Sequence, residues 1–373
     1  MPRRGRHARN GAGPGTMVDI TERPRGSRED ESQYPSTGRR LHIRTVLAIV
    51  LVCAVVGVLL NADILAKDAS TKPLGTQRDI WMNVWRPVQF VSHITGLNQP
   101  RKWLDSALGH NDKNQNFVLP PPSETPGATT PGHTNTPKTG ETPTATPTPG
   151  PRLFTPTTNH PLQIWAGGDS MSSAIDDSLS RLAGDTGVMK VTTDSRVSTG
   201  LTRPDYFNWP GEINSIVEED NPDVMVFITG ANDWQGMTNP DGSVFDSTPG
   251  SDKWIAEYTR RVDGVMSLME ASHRLAVWIG LPIMASSDFD KKMTTLSAIY
   301  EQEAAKHPGV VYVPLYQLFQ DANGNWARYL PVGSGGTLEE MRIGNDGVHF
   351  SIAGGDRAAG AVLDEIEKEA GLK

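Results

Sequence analysis

Five short apolar runs rich in β-branched residues punctuate residues 160–373 of this 373-residue chain: LQIWAG from Leu162, VMKVTT from Val188, DVMVFITG from Asp223, RLAVWIGL from Arg274 and GVVYVPL from Gly309. Each is bounded by turn residues and is too short for an ordinary helix, so each reads as a buried strand. Helical apolar spacing fills the intervals around Ser172–Leu182, Asn208–Glu219, Trp254–Ala271 and Asp290–Lys306, and follows the last run at Ala353–Ala370. Strands alternating with helices imply right-handed βαβ units, which cover both faces of a parallel sheet. The expected fold is therefore α/β, a three-layer α/β/α domain around a central, mostly parallel sheet, spanning 160–373.

The rest of the chain cannot extend that sheet. Residues 1–40 are rich in Arg, Gly, Pro and Ser without apolar periodicity and read as a disordered basic tail. TVLAIVLVCAVVGVLL, Thr45–Leu60, is apolar throughout and makes 41–62 a transmembrane helix of roughly the 20 residues a bilayer core requires. Arg39, Arg40 and Arg44 flank its start, which by the positive-inside rule leaves the N-terminus cytoplasmic and everything after about Ala62 extracytoplasmic.

Residues 63–118 read as a juxtamembrane helical segment. A pair of short helices is expected over 78–108, where Ile80, Val84, Val88 and Val91 recur at helical spacing beside Trp81, Trp85 and Trp103. Two placements are open: on the outer leaflet with Trp in the headgroup zone, or packed on the main domain. From 119 to 159 the chain reads as a disordered linker, with eleven prolines and eleven threonines between Pro120 and Pro156. Extended at about 3.1 Å per residue, it would act as a stalk on the order of 100 Å long.

Charge and cysteine usage exclude several function classes. Residues 160–373 carry sixteen Lys/Arg against thirty-one Asp/Glu, a surface that repels phosphate backbones, so no nucleic-acid partner is expected. The single cysteine, Cys53, lies in the apolar run, so the chain alone can form no disulfide, CxxC pair or Cys-based zinc site. With no P-loop and no HExxH, no cofactor and no metal are expected.

In a parallel α/β sheet, reactive groups gather at the carboxyl ends of the strands. The first strand runs into Gly167-Gly168-Asp169-Ser170, which places a hydroxyl at the start of the next helix, beside its outward-pointing N–H groups. Serine needs a base, usually a histidine oriented by a carboxylate. Of nine histidines, only His349 stands in a Gly-rich loop before the final helix, three residues after Asp346. That spacing lets Asp346 hold Nδ1–H and leaves Nε2 to face the serine. Two further strand-end segments, VSTGLTRPDYF with Gly200 and VFITGANDW with Asn232, offer hydrogen-bond donors for the negative oxygen of a tetrahedral intermediate.

These blocks, Gly168-Asp169-Ser170, Gly200, Gly230-Ala231-Asn232-Asp233 and Asp346-Gly347-Val348-His349, resemble in order the four blocks of the SGNH hydrolases, also called the GDSL family. Met171 stands where that family more often has Leu. The resemblance covers about 160–373 and implies Ser170 as nucleophile, His349 as general base and acid, and Asp346 as its orienting carboxylate. It implies an oxyanion hole made by the Ser170 and Gly200 N–H groups and the Asn232 side chain, within an α/β/α fold. The absence of G-x-S-x-G sets the chain apart from ordinary α/β-hydrolases.

The expectation is a membrane-tethered extracytoplasmic serine esterase acting on O-acylated glycans or glycolipids of a cell envelope. An O-acyltransferase passing the acyl group to a sugar hydroxyl would use the same triad, and a non-catalytic glycan-binding protein would use the fold alone. Trp234, Trp326 and Arg342, in the segments 234–253 and 321–344 that could wall the site, are candidate contacts to a sugar or an acyl carboxylate.

Overall fold

A computed structural model describes residues 42–72, 75–107, 117–119, 153–271, 273–333, 335–343 and 346–373. The expected disordered tail at 1–40 and most of the Pro/Thr-rich linker lie outside them. The chain divides into two units, Met1–Ala54 and Val55–Lys373. Four helices come first: α1 (Ile43–Leu60), α2 (Ala62–Thr71), α3 (Thr76–Thr95) and α4 (Gln99–Ala107). Helix α1 has a mean hydropathy of 2.8 and none of its residues is buried, so its length and composition fit a membrane span.

The larger part of the second unit alternates strand and helix in the expected order: β1 (Leu162–Gly168), α5 (Ser172–Asp185), β2 (Met189–Ser195), α6 (Trp209–Glu219) and β3 (Val224–Ile228). A short ribbon, β4 (Met237–Thr238) with β5 (Val244–Asp246), precedes α7 (Asp252–Met269), β6 (Leu275–Ile279), α8 (Ser287–Ala304) and β7 (Val310–Val313). A second ribbon, β8 (Tyr329–Val332) with β9 (Thr337–Glu340), leads to α9 (Ile352–Glu369). The five main strands pair in the order β2-β1-β3-β6-β7, every neighbour parallel.

All five central-sheet strands are the runs anticipated from β-branched composition. The reason is visible in β3 and β6, which are buried at every residue, as strands covered on both faces must be. Helices α5 and α9 pack on one face, and α6, α7 and α8 on the other. The chain reverses its winding direction between β1 and β3, and the crevice at the carboxyl ends of those two strands is where an open α/β sheet offers a site.

The pair of helices expected over 78–108 corresponds to α3 and α4, α2 precedes them, and α2 and α3 pack on the α/β domain. Arg203 grips Asp205 with both arms of its guanidinium, Nε to Oδ1 at 2.9 Å and Nη2 to Oδ2 at 3.0 Å. It also donates to the carbonyl oxygens of Ser70 and Lys72 at the end of α2. Arg78 of α3 meets the same Asp205 at 3.8 Å and donates to Gly242 O and Ser70 O. All three charged side chains are buried, so two cations share one carboxylate and a set of carbonyls instead of water.

The linker's ends are anchored as well. Leu119 is buried against Gly264 of α7, and Leu153 joins the main core.

Candidate active site

The site begins where β1 ends. Gly168 has φ +148°, and a Cβ there would lie 1.8 Å from the carbonyl oxygen of Ile228, the last residue of β3. Only glycine lets the two strand ends approach so closely. Asp169 then turns the chain: its carboxylate accepts N–H bonds from Met171 (2.8 Å), Gly230 (3.1 Å) and Ala231 (3.2 Å), tying the loop after β1 to the loop after β3. Burial, opposed by these donors, pushes the Asp169 carboxyl up to about 7.

Ser170 follows at the turn into α5, half-buried, with its Oγ 2.8 Å from His349 Nε2. The His349 ring stands in the loop before α9, and its Nδ1 lies 2.8 Å from Asp346 Oδ2. Asp346 Oδ1 accepts the N–H groups of Val348 at 2.7 Å and His349 at 3.1 Å. Burial works against ionisation of Asp346, but those bonds and the imidazole outweigh it and hold the carboxyl below its usual range. A carboxylate at Nδ1 favours the tautomer with its proton there, which leaves Nε2 to accept the serine hydroxyl.

The ring is braced from both sides. Ile343 N–H donates to His349 O at 2.8 Å, Ala285 N–H donates to Gly347 O at 3.2 Å, and Ser351 caps α9 by accepting from Gly354 N–H at 3.1 Å. The segments carrying Ser170, Gly200 and Asn232 are likewise linked. Asn232 Nδ2 donates to Thr199 O at 3.0 Å, which orients the amide and leaves its second N–H for a ligand. Gly200 lies against the carboxylate of Asp233, since a Cβ at Gly200 would sit 2.2 Å from Asp233 Oδ1.

Asp233 is the residue whose role the sequence left unassigned. Its buried carboxylate accepts from Thr202 N–H (2.9 Å), Thr202 Oγ1 (3.0 Å) and Tyr258 Oη (2.8 Å). Tyr258 in turn meets Tyr300, which donates to Thr229 O. Burial, opposed by these donors, raises the Asp233 carboxyl above its usual value. The only signal for it was its place after Asn232.

The three candidate contact residues fare differently. Trp234 is half-buried two residues from Asn232 and packs on Trp254 at 5.4 Å between ring centroids. Trp326 packs on the core, away from solvent at its indole N–H. Arg342 is corrected outright: it is only 1% exposed, so it cannot meet a sugar or an acyl carboxylate from where it lies. Its guanidinium sits over Phe350 at 4.8 Å and donates to Gly347 O at 3.4 Å, beneath the Asp346–His349 loop. Burial pulls it down to about 10, against the pull of Asp346.

A groove of about 830 Å³ starts one helical turn from Ser170, at Ser173, and borders Phe350 next to His349. Its walls carry Asp177, Glu339, Glu340 and Asp356 against the single cation Arg181, with Ile343 and Ile352 between them.

Comparison with known proteins places the chain. The family model described as "Protein of unknown function (DUF459)" matches residues 163–365. This chain belongs to the DUF459 family. The matched span runs from β1 into α9 and includes Ser170, Gly200, Asn232, Asp346 and His349. No curated protein sequence matches the chain.

Among solved structures, it is similar to a GDSL-like lipase from Bacteroides thetaiotaomicron (16% identity, 55% of this chain and 88% of the other, TM-score 0.37). It is also similar to a carbohydrate esterase of family 3 from Talaromyces cellulolyticus (12%, 57% and 99%, TM-score 0.36). A third is LAE5, an alpha/beta hydrolase enzyme from the metagenome of Lake Arreo (14%, 54% and 94%, TM-score 0.40).

Proposed function

We propose that this DUF459 member is a membrane-tethered serine esterase that cleaves O-acyl esters by way of an acyl-enzyme. The observation that carries the reading is the relay Ser170 Oγ to His349 Nε2 and His349 Nδ1 to Asp346 Oδ2, each link 2.8 Å. His349 takes the serine proton as Oγ bonds the ester carbonyl carbon, and the carbonyl electron pair moves onto oxygen. The Asn232 amide, with the Gly200 and Ser170 N–H groups, receives that oxyanion. As the C–O bond to the alcohol breaks, His349 returns its proton to the leaving oxygen. Water then adds to the acyl carbon with its proton passing to His349, and the acid departs as Ser170 recovers its hydrogen.

The groove beside the pair takes the part of the substrate that does not react. With Asp356 paired to Arg181 and Glu340 to Arg328, Asp177 and Glu339 leave the groove net acidic, which disfavours anionic ligands and suits a neutral sugar, with Ile343 and Ile352 lying along an apolar portion. Arg39, Arg40 and Arg44 before the apolar helix orient the unit outward, where O-acylated envelope glycans or glycolipids are the substrates.

The test uses the full chain in detergent, a small aryl acetate and a fluorophosphonate probe. The native chain should hydrolyse the ester and take up the probe. Ser170→Ala should abolish labelling and lower turnover by about 10³-fold or more. Labelling that persists in Ser170→Ala, or a folded native chain that neither hydrolyses nor labels, overturns the proposal.

A further inference from the structure

Helix α3 is built inside out. Its buried residues are polar, Arg78 and Ser92, and the face turned to solvent is mainly apolar, with Ile80 (57% exposed), Trp81, Val84, Phe90, Val91 and Ile94 (68%) outnumbering the exposed Gln77 and Asn83. At 100° per residue these six fall on one half of the helix, opposite the side that packs on α2. Helix α4 adds two more exposed apolar side chains, Trp103 (73% exposed) and Leu104. A contiguous apolar face of this kind marks an interaction surface, and its position says with what.

Ser92 Oγ of α3 donates to the carbonyl oxygen of Leu59 at 2.7 Å, in the last turn of the apolar helix, and α2 begins two residues after that turn ends. The end of α3 that carries Ser92, Phe90, Val91 and Ile94 therefore abuts the end of the span. Charge agrees: residues 62–107 carry six Lys/Arg against four Asp/Glu, whereas 160–373 are strongly acidic. A face of Ile, Val and Trp at the edge of a span suits the boundary between headgroups and acyl chains.

We infer that the outer face of α3, with Trp103 of α4, lies in the lipid headgroup zone of the bilayer that α1 crosses. Its polar face is latched to the α/β domain through Arg78 and Asp205. The catalytic unit is thereby held at the membrane surface, and esters at that surface come to it without a flexible tether. This inference depends on α1 spanning a bilayer and is independent of the esterase reading.

The full chain, with Cys53→Ser removing its only native thiol, is reconstituted in phosphatidylcholine vesicles containing phosphatidylglycerol. Single nitroxide labels are placed at Ile80, Val84, Val91 and Ile94, at Val50 within α1, and at exposed Lys190 on the α/β domain. Collision with oxygen and with a water-soluble nickel chelate is read at each. The α3 labels should favour oxygen several-fold more than the Lys190 label does, approaching the Val50 label. Values matching Lys190 put the face in water and overturn the inference; shielding from both reagents means that protein, a second copy or a partner, covers it, and overturns it too. A Val50 label that behaves like Lys190 removes the premise and the inference with it. As a check without labels on the face, brominated lipids should quench the native chain, and Trp81→Phe with Trp103→Phe should remove most of that quenching; undiminished quenching counts against the inference.

Discussion

Gly200→Ala is a sharp test of how the site is positioned, because the obstacle is one identified carboxylate. The added Cβ would lie 2.2 Å from Asp233 Oδ1 and 2.7 Å from its Cγ. Reaching ordinary contact requires a relative shift of about 1 Å, and misplacement on that scale costs on the order of 10²-fold in rate. Asp233 cannot simply swing away, since Thr202 and Tyr258 hold it from other sides. The loop carrying the Gly200 N–H must therefore move, and kcat/KM for an aryl acetate should fall about 10²-fold, or about 2.7 kcal/mol of transition-state stabilisation. Gly184→Ala in α5 is the matched control: nothing stands within 4 Å of its Cβ, so activity should be unchanged. A double variant, Gly200→Ala with Asp233→Ala, should lose less than the two single losses combined, because the first clash disappears with the carboxylate. Native-like kcat/KM in a folded Gly200→Ala, or losses that add strictly, would refute the strut assigned to Asp233.

Removing the Asn232 amide, as Asn232→Ala, should lower kcat about 10² to 10³-fold with little change in KM; an effect confined to KM would remove Asn232 from oxyanion stabilisation. Folding stability should fall as pH rises from about 4 to about 7. Burial raises Asp169 to about 7 and Asp176 to about 6, so over that window the folded chain holds protons that the unfolded chain has released. Asp346, held low, acts only below that window. Thermal midpoints across the pH series check the sign, and a rising midpoint would contradict it. Asp205→Ala strands the buried Arg78 and Arg203 guanidinium groups side by side and should destabilise the chain by about 3–5 kcal/mol, read from a denaturant melt in detergent. An unchanged melt would mean that the latch contributes nothing.

The central sheet was legible because its strands are buried on both faces, so Val224–Ile228 and Leu275–Ile279 announce themselves as unbroken apolar runs. The ribbons β4–β5 and β8–β9 were not, since a strand such as Thr337–Glu340, exposed along most of its length, has no burial pattern to display. Ser170 stood out by its place at a strand end, and Asp346 and His349 by their three-residue spacing in the loop before the final helix. Arg342 misled for a physical reason: a guanidinium in a loop before a reactive histidine reads as a ligand contact until the rings of Phe319 and Phe350 are seen to cover it. The docking of the juxtamembrane helices stayed one of two open placements because it depends on Arg203 and Asp205 meeting Arg78 over more than a hundred residues of separation, which composition cannot register.

Loops at the carboxyl edge of a sheet have a positioning problem that strands do not. Their N–H groups have no ladder partner, yet oxyanion binding requires some of those donors to stay fixed without being used up. Two buried acids resolve this at the present site. Asp169 absorbs the N–H groups of Gly230 and Ala231, one residue short of Asn232, while its neighbour is Ser170. Asp233 accepts the N–H and hydroxyl of Thr202 and the hydroxyl of Tyr258, and fills the space where Gly200 lacks a side chain. Each acid thus joins two loops with one rigid, short group, which a longer or neutral side chain could not do with the same number of acceptor lone pairs. Burying them costs stability, as the raised pKa of each records, and the cost falls where hydroxyl, amide and imidazole must converge. Conservative replacement of either acid by Asn keeps the size but turns an acceptor into a donor aimed at N–H groups, so it should loosen the oxyanion loop while leaving the Ser170–His349 contact in place.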